Sequence, residues 1–135
     1  MKEKITVTPE LLKNEFIKLY GENSNKIKMF ASPARINIIG EHIDYNGGKV
    51  FPAAIDKYLY VAIRKRNDTL INYNDLFFDG NFTFDINDNF VYKKENDYAN
   101  FLNGILSIIK RHGYVFESGF DVLIASNVPS AGGIS

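Results

Sequence analysis

The chain has 135 residues, 45% of them apolar, and its 16 basic and 16 acidic side chains leave no net charge. This composition fits one globular domain and argues against nucleic acid or an acidic membrane surface as a general partner. Because the chain has no cysteine, it forms no disulfide and no thiol nucleophile. No signal-peptide pattern and no apolar run of membrane-spanning length are present, so we expect a cytoplasmic protein.

The first predicted elements are a helix and a strand. Thr8, Pro9 and Glu10 predict a helix start, because they supply an N-cap hydroxyl, a proline at the first helical position and an acid in the first turn. Gly21 is expected to end this helix, whose apolar side chains share one face: Leu11, Leu12, Phe16 and Leu19. Loose alternation over 26–31 predicts a strand, followed by a Ser-Pro-Ala turn.

The middle of the chain is rich in strand patterns. We expect strands over 58–64, 70–73 and 82–86, and an apolar segment over 50–55 that crosses the core. The basic run 64–66 is interpreted as a solvated strand end. Asp79 and Gly80 predict a tight hairpin, and the polar residues 87–96 are typical of a surface loop.

A second helix follows this loop, with Asp97 as its predicted cap and Gly113 at its end. Its apolar residues recur at helical spacing and predict a stripe that faces the core: Tyr98, Phe101, Leu102, Ile105, Leu106 and Ile109. A last strand is predicted over 120–125.

Residues 31–48 read A-S-P-A-R-I-N-I-I-G-E-H-I-D-Y-N-G-G and carry most of the chemistry. An apolar strand over 36–39 ends at Gly40 and delivers three polar groups: Glu41, His42 and Asp44. Carboxylates accept hydrogen bonds and imidazole can donate or accept, so this run suits a ligand rich in hydroxyl groups. Each hydrogen bond to a charged group contributes about 1.5–3 kcal/mol. Arg35 is a cationic fork that matches carboxylate or phosphate.

Other interpretations of these residues stay open. The Glu-His-x-Asp run is also typical of a solvated turn after a strand, and Arg35 can pair with an acid on a neighbouring strand. His, Glu and Asp are metal ligands too, but zinc favours clustered His and Cys, and the chain has no Cys.

Residues 34–45 resemble the signature of the galactokinases, which reads G-R-x-N-(aliphatic)-I-G-E-H-x-D-Y. Every fixed position matches except the first, where Ala34 replaces glycine and restricts the backbone beside Arg35. The resemblance continues through 46–48 and 52–56 and, more loosely, over the whole chain. It implies that residues 1–135 are part of the N-terminal domain of a sugar kinase, with an α/β (α+β) fold in which helices pack on a mixed sheet.

The last nine residues, 127–135, read N-V-P-S-A-G-G-I-S. A loop of small residues after a strand can cradle phosphate with its backbone N–H groups, although this composition is also typical of a flexible tail. The segment is similar to the motif P-x-G-A-G-L-S-S-S of the galactokinase–homoserine kinase–mevalonate kinase superfamily. It departs from that motif in the exchanged order of Ala131 and Gly132, in Ile134, and in stopping at the first serine.

The resemblance implies roles for the matching residues. Four of them fall where galactokinases hold the sugar hydroxyls: Glu41, His42, Ile43 and Asp44. Arg35 falls at the arginine that stabilises the transition state. An ATP phosphate loop would begin within 129–135, with contacts from Ala131, Gly132, Gly133, Ile134 and Ser135, and Asn74, at a position that is usually serine, falls near the nucleotide base.

The implied reaction transfers the γ-phosphoryl group of ATP to the anomeric hydroxyl of D-galactose with the help of Mg²⁺. The magnesium ligands and the general base match no residue of this sequence. We therefore expect the chain alone to be inactive and to expose apolar edge surface.

Two further functions stay open: a kinase for N-acetylgalactosamine or another sugar, and a non-catalytic relative that binds galactose and ATP and regulates a partner. A mevalonate kinase is disfavoured, because a Glu-His-x-Asp sugar clamp has no use on mevalonate. The sequence does not indicate an oligomeric state.

Overall fold

The computed structural model describes residues 7–129, in which two helices and five strands are connected by loops and two short 3₁₀ turns. The helices are α1 (Pro9–Tyr20) and α2 (Ala99–Arg111). The strands are β1 (Lys28–Ile39), β2 (Phe51–Lys65), β3 (Leu70–Asp75), β4 (Phe82–Asp85) and β5 (Phe120–Ser126). Within this part of the chain, neither helix is long and apolar enough to cross a membrane.

All five strands belong to one mixed sheet with the order β1-β2-β5-β3-β4. Strand β5 pairs antiparallel with β2 and parallel with β3, and β2 pairs antiparallel with β1. Strands β1, β3 and β5 therefore run in the same direction, and their carboxyl ends point toward the same end of the sheet. This architecture confirms the predicted α/β (α+β) fold.

The two helices pack on opposite faces of the sheet. α1 buries Leu12 and Phe16 in a cluster that includes Leu123 of β5. α2 contributes Ala99 to a cluster with Val122 of the same strand. Because successive side chains of a strand point to opposite faces, Val122 and Leu123 place the two helices on either side.

The predicted start and stop of α1 are confirmed. Thr8 Oγ1 accepts the N–H of Leu11 at 3.1 Å, and Gly21, with φ 72°, follows the last helical residue. Of the predicted apolar face, Leu12 and Phe16 are fully buried, but Leu19 is 47% exposed.

The turn predicted at 32–34 is wrong, because β1 continues through it. Pro33 pairs with Tyr58 and Arg35 with Ala54, so three residues of β2 (55–57) bulge opposite Ala34. A bulge bends a strand without ending it, and β1 is an edge strand, where proline is tolerated. The segments predicted over 50–55 and 58–64 likewise belong to one strand, β2, because the bulge at 55–57 bends this strand without ending it.

The hairpin of β1 and β2 extends beyond the rest of the sheet. Ser126, the last residue of β5, pairs with Leu59, which pairs with Ser32. The residues beyond this level, 33–58, form a two-stranded arm that projects about 20 Å at roughly 3.3 Å per residue. Residues 50–55 lie on this arm instead of crossing the core, and Phe51 is 60% exposed.

The tight hairpin predicted at Asp79 and Gly80 is also wrong. Residues 76–81 connect β3 to β4. The Asp75 carboxylate accepts the N–H groups of Phe77 and Phe78 at 2.8 and 3.2 Å. This local turn ends β3 several residues before the predicted hairpin.

The start of α2 differs from the prediction as well. Asp97 has φ 41° and accepts the N–H of Asn100 with its main-chain carbonyl, at 3.1 Å, so its side chain does not cap the helix. Two members of the predicted core stripe face outward, since Phe101 is 80% and Ile105 57% exposed. Gly113, with φ 85°, follows the helix end as predicted.

A buried carboxylate joins three strands of the sheet. Asp121 of β5 is 1% exposed and accepts hydrogen bonds from Arg64 at 3.0 Å, Arg66 at 2.7 Å and Asn72 at 2.9 Å. Arg64 is 3% exposed, so the interpretation of 64–66 as a solvated strand end is wrong for this residue.

Arg64 also binds the end of α1. Its guanidinium donates to the main-chain carbonyls of Gly21 at 2.8 Å and Tyr20 at 3.1 Å. The last carbonyl groups of a helix lack partners within the helix, so this side chain satisfies two of them. The guanidinium carbon also lies 5.0 Å from the centre of the Phe16 ring.

We predict that Asp121→Asn destabilises the chain by about 3–5 kcal/mol, because it leaves the buried Arg64 guanidinium without a counter-charge. Asp68→Asn is the matched control. Asp68 pairs with Arg66 at 2.6 Å but has a 47% exposed side chain, so its loss should cost less than about 1 kcal/mol. Urea unfolding of both variants measures the difference, and equal losses would contradict the role given to Asp121.

Candidate active site

The loop 40–50 closes the tip of the arm. Gly40 follows β1 with φ 106°, and a Cβ at this position would lie 2.9 Å from the carbonyl oxygen of Lys49 and from Val50. The two ends of the loop therefore approach so closely that glycine is required. The predicted end of the strand at Gly40 is confirmed.

Main-chain hydrogen bonds give the loop its shape. The carbonyl of Ile43 accepts the N–H groups of Asn46 at 3.2 Å and Gly48 at 2.8 Å. The 3₁₀ turn Asp44–Asn46 follows Ile43 directly. The carboxylates of Glu41 and Asp44 are exposed and accept no hydrogen bond from residues 7–129. Both groups are therefore available to a ligand.

His42 is held in an uncommon conformation. Its φ is 59°, and its carbonyl accepts the Asn46 side-chain amide at 3.1 Å. Its Nδ1 lies 3.0 Å from the hydroxyl of Tyr45. One ring nitrogen is thus committed to Tyr45, and Nε2 is left to donate to or accept from a ligand.

Arg35 lies at the base of the arm, directly after the bulge. It lines a groove of about 500 Å³ together with six neighbours: Ser32, Pro33, Ala34, Leu59, Ser126 and Val128. Among residues 7–129, the non-glycine residues with positive φ are His42 and Asp97, so Ala34 has an ordinary backbone conformation. The replacement of glycine by Ala34 therefore causes no strain beside Arg35.

The chain that leaves β5 is fixed to the base of the arm. Asn127 exchanges two hydrogen bonds with the main chain of Tyr58, at 2.6 and 3.1 Å. The Ser126 hydroxyl donates to the same residue at 3.3 Å and accepts the N–H of Val128 at 3.0 Å. The segment that leads into the predicted phosphate loop is therefore fixed beside the groove that Arg35 lines.

Most of that predicted loop lies outside the described residues. Pro129 is the last residue of 129–135 that the structure describes. The five predicted contacts fall beyond it: Ala131, Gly132, Gly133, Ile134 and Ser135. Their roles stay predictions.

Asn74 lies at the end of β3, separated from β1 by strands β5 and β2. It is 8% exposed and donates through Nδ2 to the hydroxyl of Tyr20 at 2.8 Å. It lines a cavity of about 450 Å³ between α1 and the loop 76–81. Asp75 lines the same cavity, and burial raises the pKa of its carboxyl group although two N–H donors oppose the shift.

The predicted residues therefore occupy three places. Glu41, His42, Ile43 and Asp44 lie together at the tip of the arm, Arg35 lies at its base beside the end of β5, and Asn74 lies across the sheet. Tyr45 and Tyr20, which orient His42 and Asn74, were not predicted. Tyr45 belongs to the signature, but only the folded loop shows that its hydroxyl binds the imidazole.

The signature asparagine has an unusual environment. Asn37 lies opposite Pro52, which has no N–H to donate. The side-chain Oδ1 of Asn37 is buried and has no hydrogen-bond partner among the described residues. This acceptor is therefore available to a donor from another part of the protein or from a ligand.

No group of three or more His, Cys, Asp or Glu side chains within 7–129 is arranged to hold a metal ion. The use of Mg²⁺ stays a prediction that rests on the family resemblance.

Comparison with protein families and curated proteins finds one consistent relationship. Residues 14–65 match the model described as the galactokinase galactose-binding signature. Galactokinases of Clostridium beijerinckii and Bacillus subtilis are each 39% identical over 127 residues, which is 93% of this chain and 32% of the relative. The chain therefore spans about a third of the length of these curated relatives.

Solved structures give the same result. The structure of Lactococcus lactis galactokinase complexed with galactose matches with a TM-score of 0.84 at 35% identity, over 93% of this chain and 32% of that chain. Methanococcus jannaschii mevalonate kinase matches with a TM-score of 0.67 at 17% identity, over 83% and 36% of the two chains. At that identity the second likeness shows the fold alone.

We predict that Gly40→Ala destabilises the chain more than Gly21→Ala. Both glycines have positive φ, but a Cβ at Gly21 meets no atom within 4 Å, whereas one at Gly40 collides with main-chain atoms. The Gly21 change should cost about 1 kcal/mol and the Gly40 change at least twice as much. Urea unfolding measures both, and equal costs would show that residues 49–50 can move aside.

Proposed function

Because this chain belongs to the galactokinase family, we propose that its gene product transfers the γ-phosphoryl group of ATP to D-galactose and forms galactose 1-phosphate. One observation supports this most directly: Arg35 and the segment that leads into the predicted phosphate loop line the same groove. A cation beside a phosphate-binding loop is what phosphoryl transfer requires, since the reaction depends on positioning and charge stabilisation.

The tip of the arm is the proposed galactose site. Glu41 and Asp44 present exposed carboxylates, and His42 presents a ring whose other nitrogen is fixed by Tyr45. Ile43, 39% exposed, adds an apolar contact for the carbon face of a sugar. Hydroxyl groups both donate and accept, so acceptors and an imidazole at fixed positions can distinguish sugar epimers.

Arg35 is the proposed transition-state stabiliser. Its guanidinium is always charged and forks toward two oxygen atoms at once, which fits a phosphoryl group in transfer. The proposed sugar site lies in the loop that follows the same strand, so β1 connects Arg35 to the galactose-binding residues. Mg²⁺ would neutralise further charge on the nucleotide when bound.

The nucleotide is proposed to extend from the end of β5 toward the end of β3. In sheets with parallel strands, ligands bind outside the carboxyl ends of those strands. β5 and β3 are the parallel neighbours here, and Asn74 lies at the end of β3. This arrangement supports Asn74 as a residue near the nucleotide base. The cytoplasmic location and the inactivity of the isolated chain stay predictions.

We expect the full-length product of the gene to release ADP from ATP in the presence of D-galactose. A panel with N-acetylgalactosamine, glucose and mevalonate as alternative acceptors identifies the sugar. Turnover with N-acetylgalactosamine at least as fast as with galactose would favour the kinase for another sugar. Binding of galactose and ATP without ADP release would favour the non-catalytic relative.

We also expect Arg35→Lys in this product to lower kcat by about 100-fold or more, because lysine cannot bind two transition-state oxygens in the same way. The KM for galactose should change much less, since the sugar hydroxyls bind at the tip of the arm. Arg111→Lys, at the exposed end of α2, is the matched control. A loss of thermal stability with unchanged kcat would show that Arg35 has only a structural role.

A further inference from the structure

The hydrogen bonds around Tyr20 have a determined direction. The Tyr20 hydroxyl lies 2.8 Å from the carbonyl oxygen of Val122, which can only accept, so the hydroxyl proton points there. The hydroxyl oxygen is then an acceptor for Asn74, which lies 2.8 Å away and must present its Nδ2. Burial raises the pKa of Tyr20 above its ordinary value, so the hydroxyl keeps this proton.

The orientation of the Asn74 amide follows from this chain of donors. With Nδ2 committed to Tyr20, Oδ1 points away from Tyr20 and is left as an acceptor. Asn74 lines the cavity between α1 and the loop 76–81. A ligand in this cavity therefore meets an acceptor at Asn74, and an amide rotation would break the hydrogen bond to Tyr20.

The remainder of the cavity also favours a ligand that donates hydrogen bonds. Among the described residues, its lining includes the Asp75 carboxylate, and Glu15, which also lines it, pairs with Lys18 at 3.5 Å. Together with Oδ1 of Asn74, the Asp75 carboxylate makes this lining rich in acceptors, which suits a group that donates hydrogen bonds. Phe78, a residue that is 57% exposed, also lines the cavity, and the centre of its ring lies 5.6 Å from that of Tyr98. An exposed aromatic face is a stacking surface for a flat ring.

Resting on the kinase function proposed above, we propose that Asn74 selects adenine over guanine and that Tyr20 positions it for this purpose. Adenine carries an exocyclic amine that donates, where guanine carries a carbonyl oxygen that accepts. The fixed Oδ1 of Asn74 accepts a hydrogen bond from the amine of adenine. With guanine, Oδ1 faces a carbonyl oxygen, and two acceptors form no hydrogen bond. Asn74 is then a specificity-determining residue, and Tyr20 acts through it.

The test uses the full-length gene product with two readouts. The first is the ratio of kcat/KM for ATP and GTP with galactose as acceptor. The second is the ratio of equilibrium affinities for ADP and GDP, measured by calorimetry without turnover. The wild-type protein should favour the adenine nucleotide by roughly tenfold to a hundredfold in both.

Two variants and one control complete the test. Tyr20→Phe lets the amide rotate and present Nδ2, so the preference for adenine should fall severalfold. Asn74→Leu removes the acceptor and should reduce the preference to near unity. Tyr60 packs against the same core cluster as Tyr20. Tyr60→Phe therefore removes a comparable hydroxyl and should keep the wild-type preference for the adenine nucleotide.

The outcomes separate this inference from the proposed function. A wild-type protein that phosphorylates galactose, with nucleotide preference unchanged in both variants, overturns the role of Asn74 and leaves the kinase intact. A wild-type protein without kinase activity overturns the proposed function, and the affinities for ADP and GDP then still decide the role of Asn74. If Tyr20→Phe does not fold, Asn74→Leu decides alone. Failure of the wild-type protein to bind either nucleotide overturns the inference.

Discussion

The buried carboxylate of Asp121 is the contact on which most of the described structure depends. It lies on the central strand β5 and binds side chains from β2 and β3, so one group ties together three neighbouring strands. Its main partner, Arg64, also satisfies the last carbonyls of α1. A buried charge is costly unless it is paired and hydrogen-bonded, so each of these elements holds the others in position.

A second constraint concerns the arm, which projects beyond the sheet and must still hold its terminal loop in one conformation. Two irregularities in its pairing, after Pro33 and after Asn37, bend it without breaking the ladder. Gly40 then allows the strand ends to approach closely enough for main-chain hydrogen bonds to fix the loop. Since main-chain hydrogen bonds and the side-chain amide of Asn46 hold the loop, the side chains of Glu41 and Asp44 are left available for a ligand.

Some local signals predict the structure and others do not: Thr8 caps α1, but the Asp97 side chain does not cap α2. Contacts between residues distant in sequence leave no local signal. The cap at Thr8 depends on Leu11, three residues away, and the stop at Gly40 depends on residues 49–50 at the other end of the same loop, so the sequence pattern predicts both. Arg64 seemed solvated because its partner lies 57 residues away, and the turn predicted at 32–34 became a bulge because β2 pairs across it. The site shows the same contrast: the polar run after Gly40 is visible in the sequence, but the groove lined by Arg35 and the end of β5 depends on the order of the strands.

Tyr20 connects the structural ion pair with the proposed nucleotide site. Its main-chain carbonyl accepts from Arg64, and its hydroxyl donates to the carbonyl of Val122, the residue after Asp121. The position of this hydroxyl is therefore fixed from both ends by the network that holds α1 on the sheet. The same hydroxyl determines which atom of Asn74 faces the cavity. The selectivity proposed for Asn74 is thus a consequence of how the core is assembled, and a residue 54 positions away in sequence specifies it.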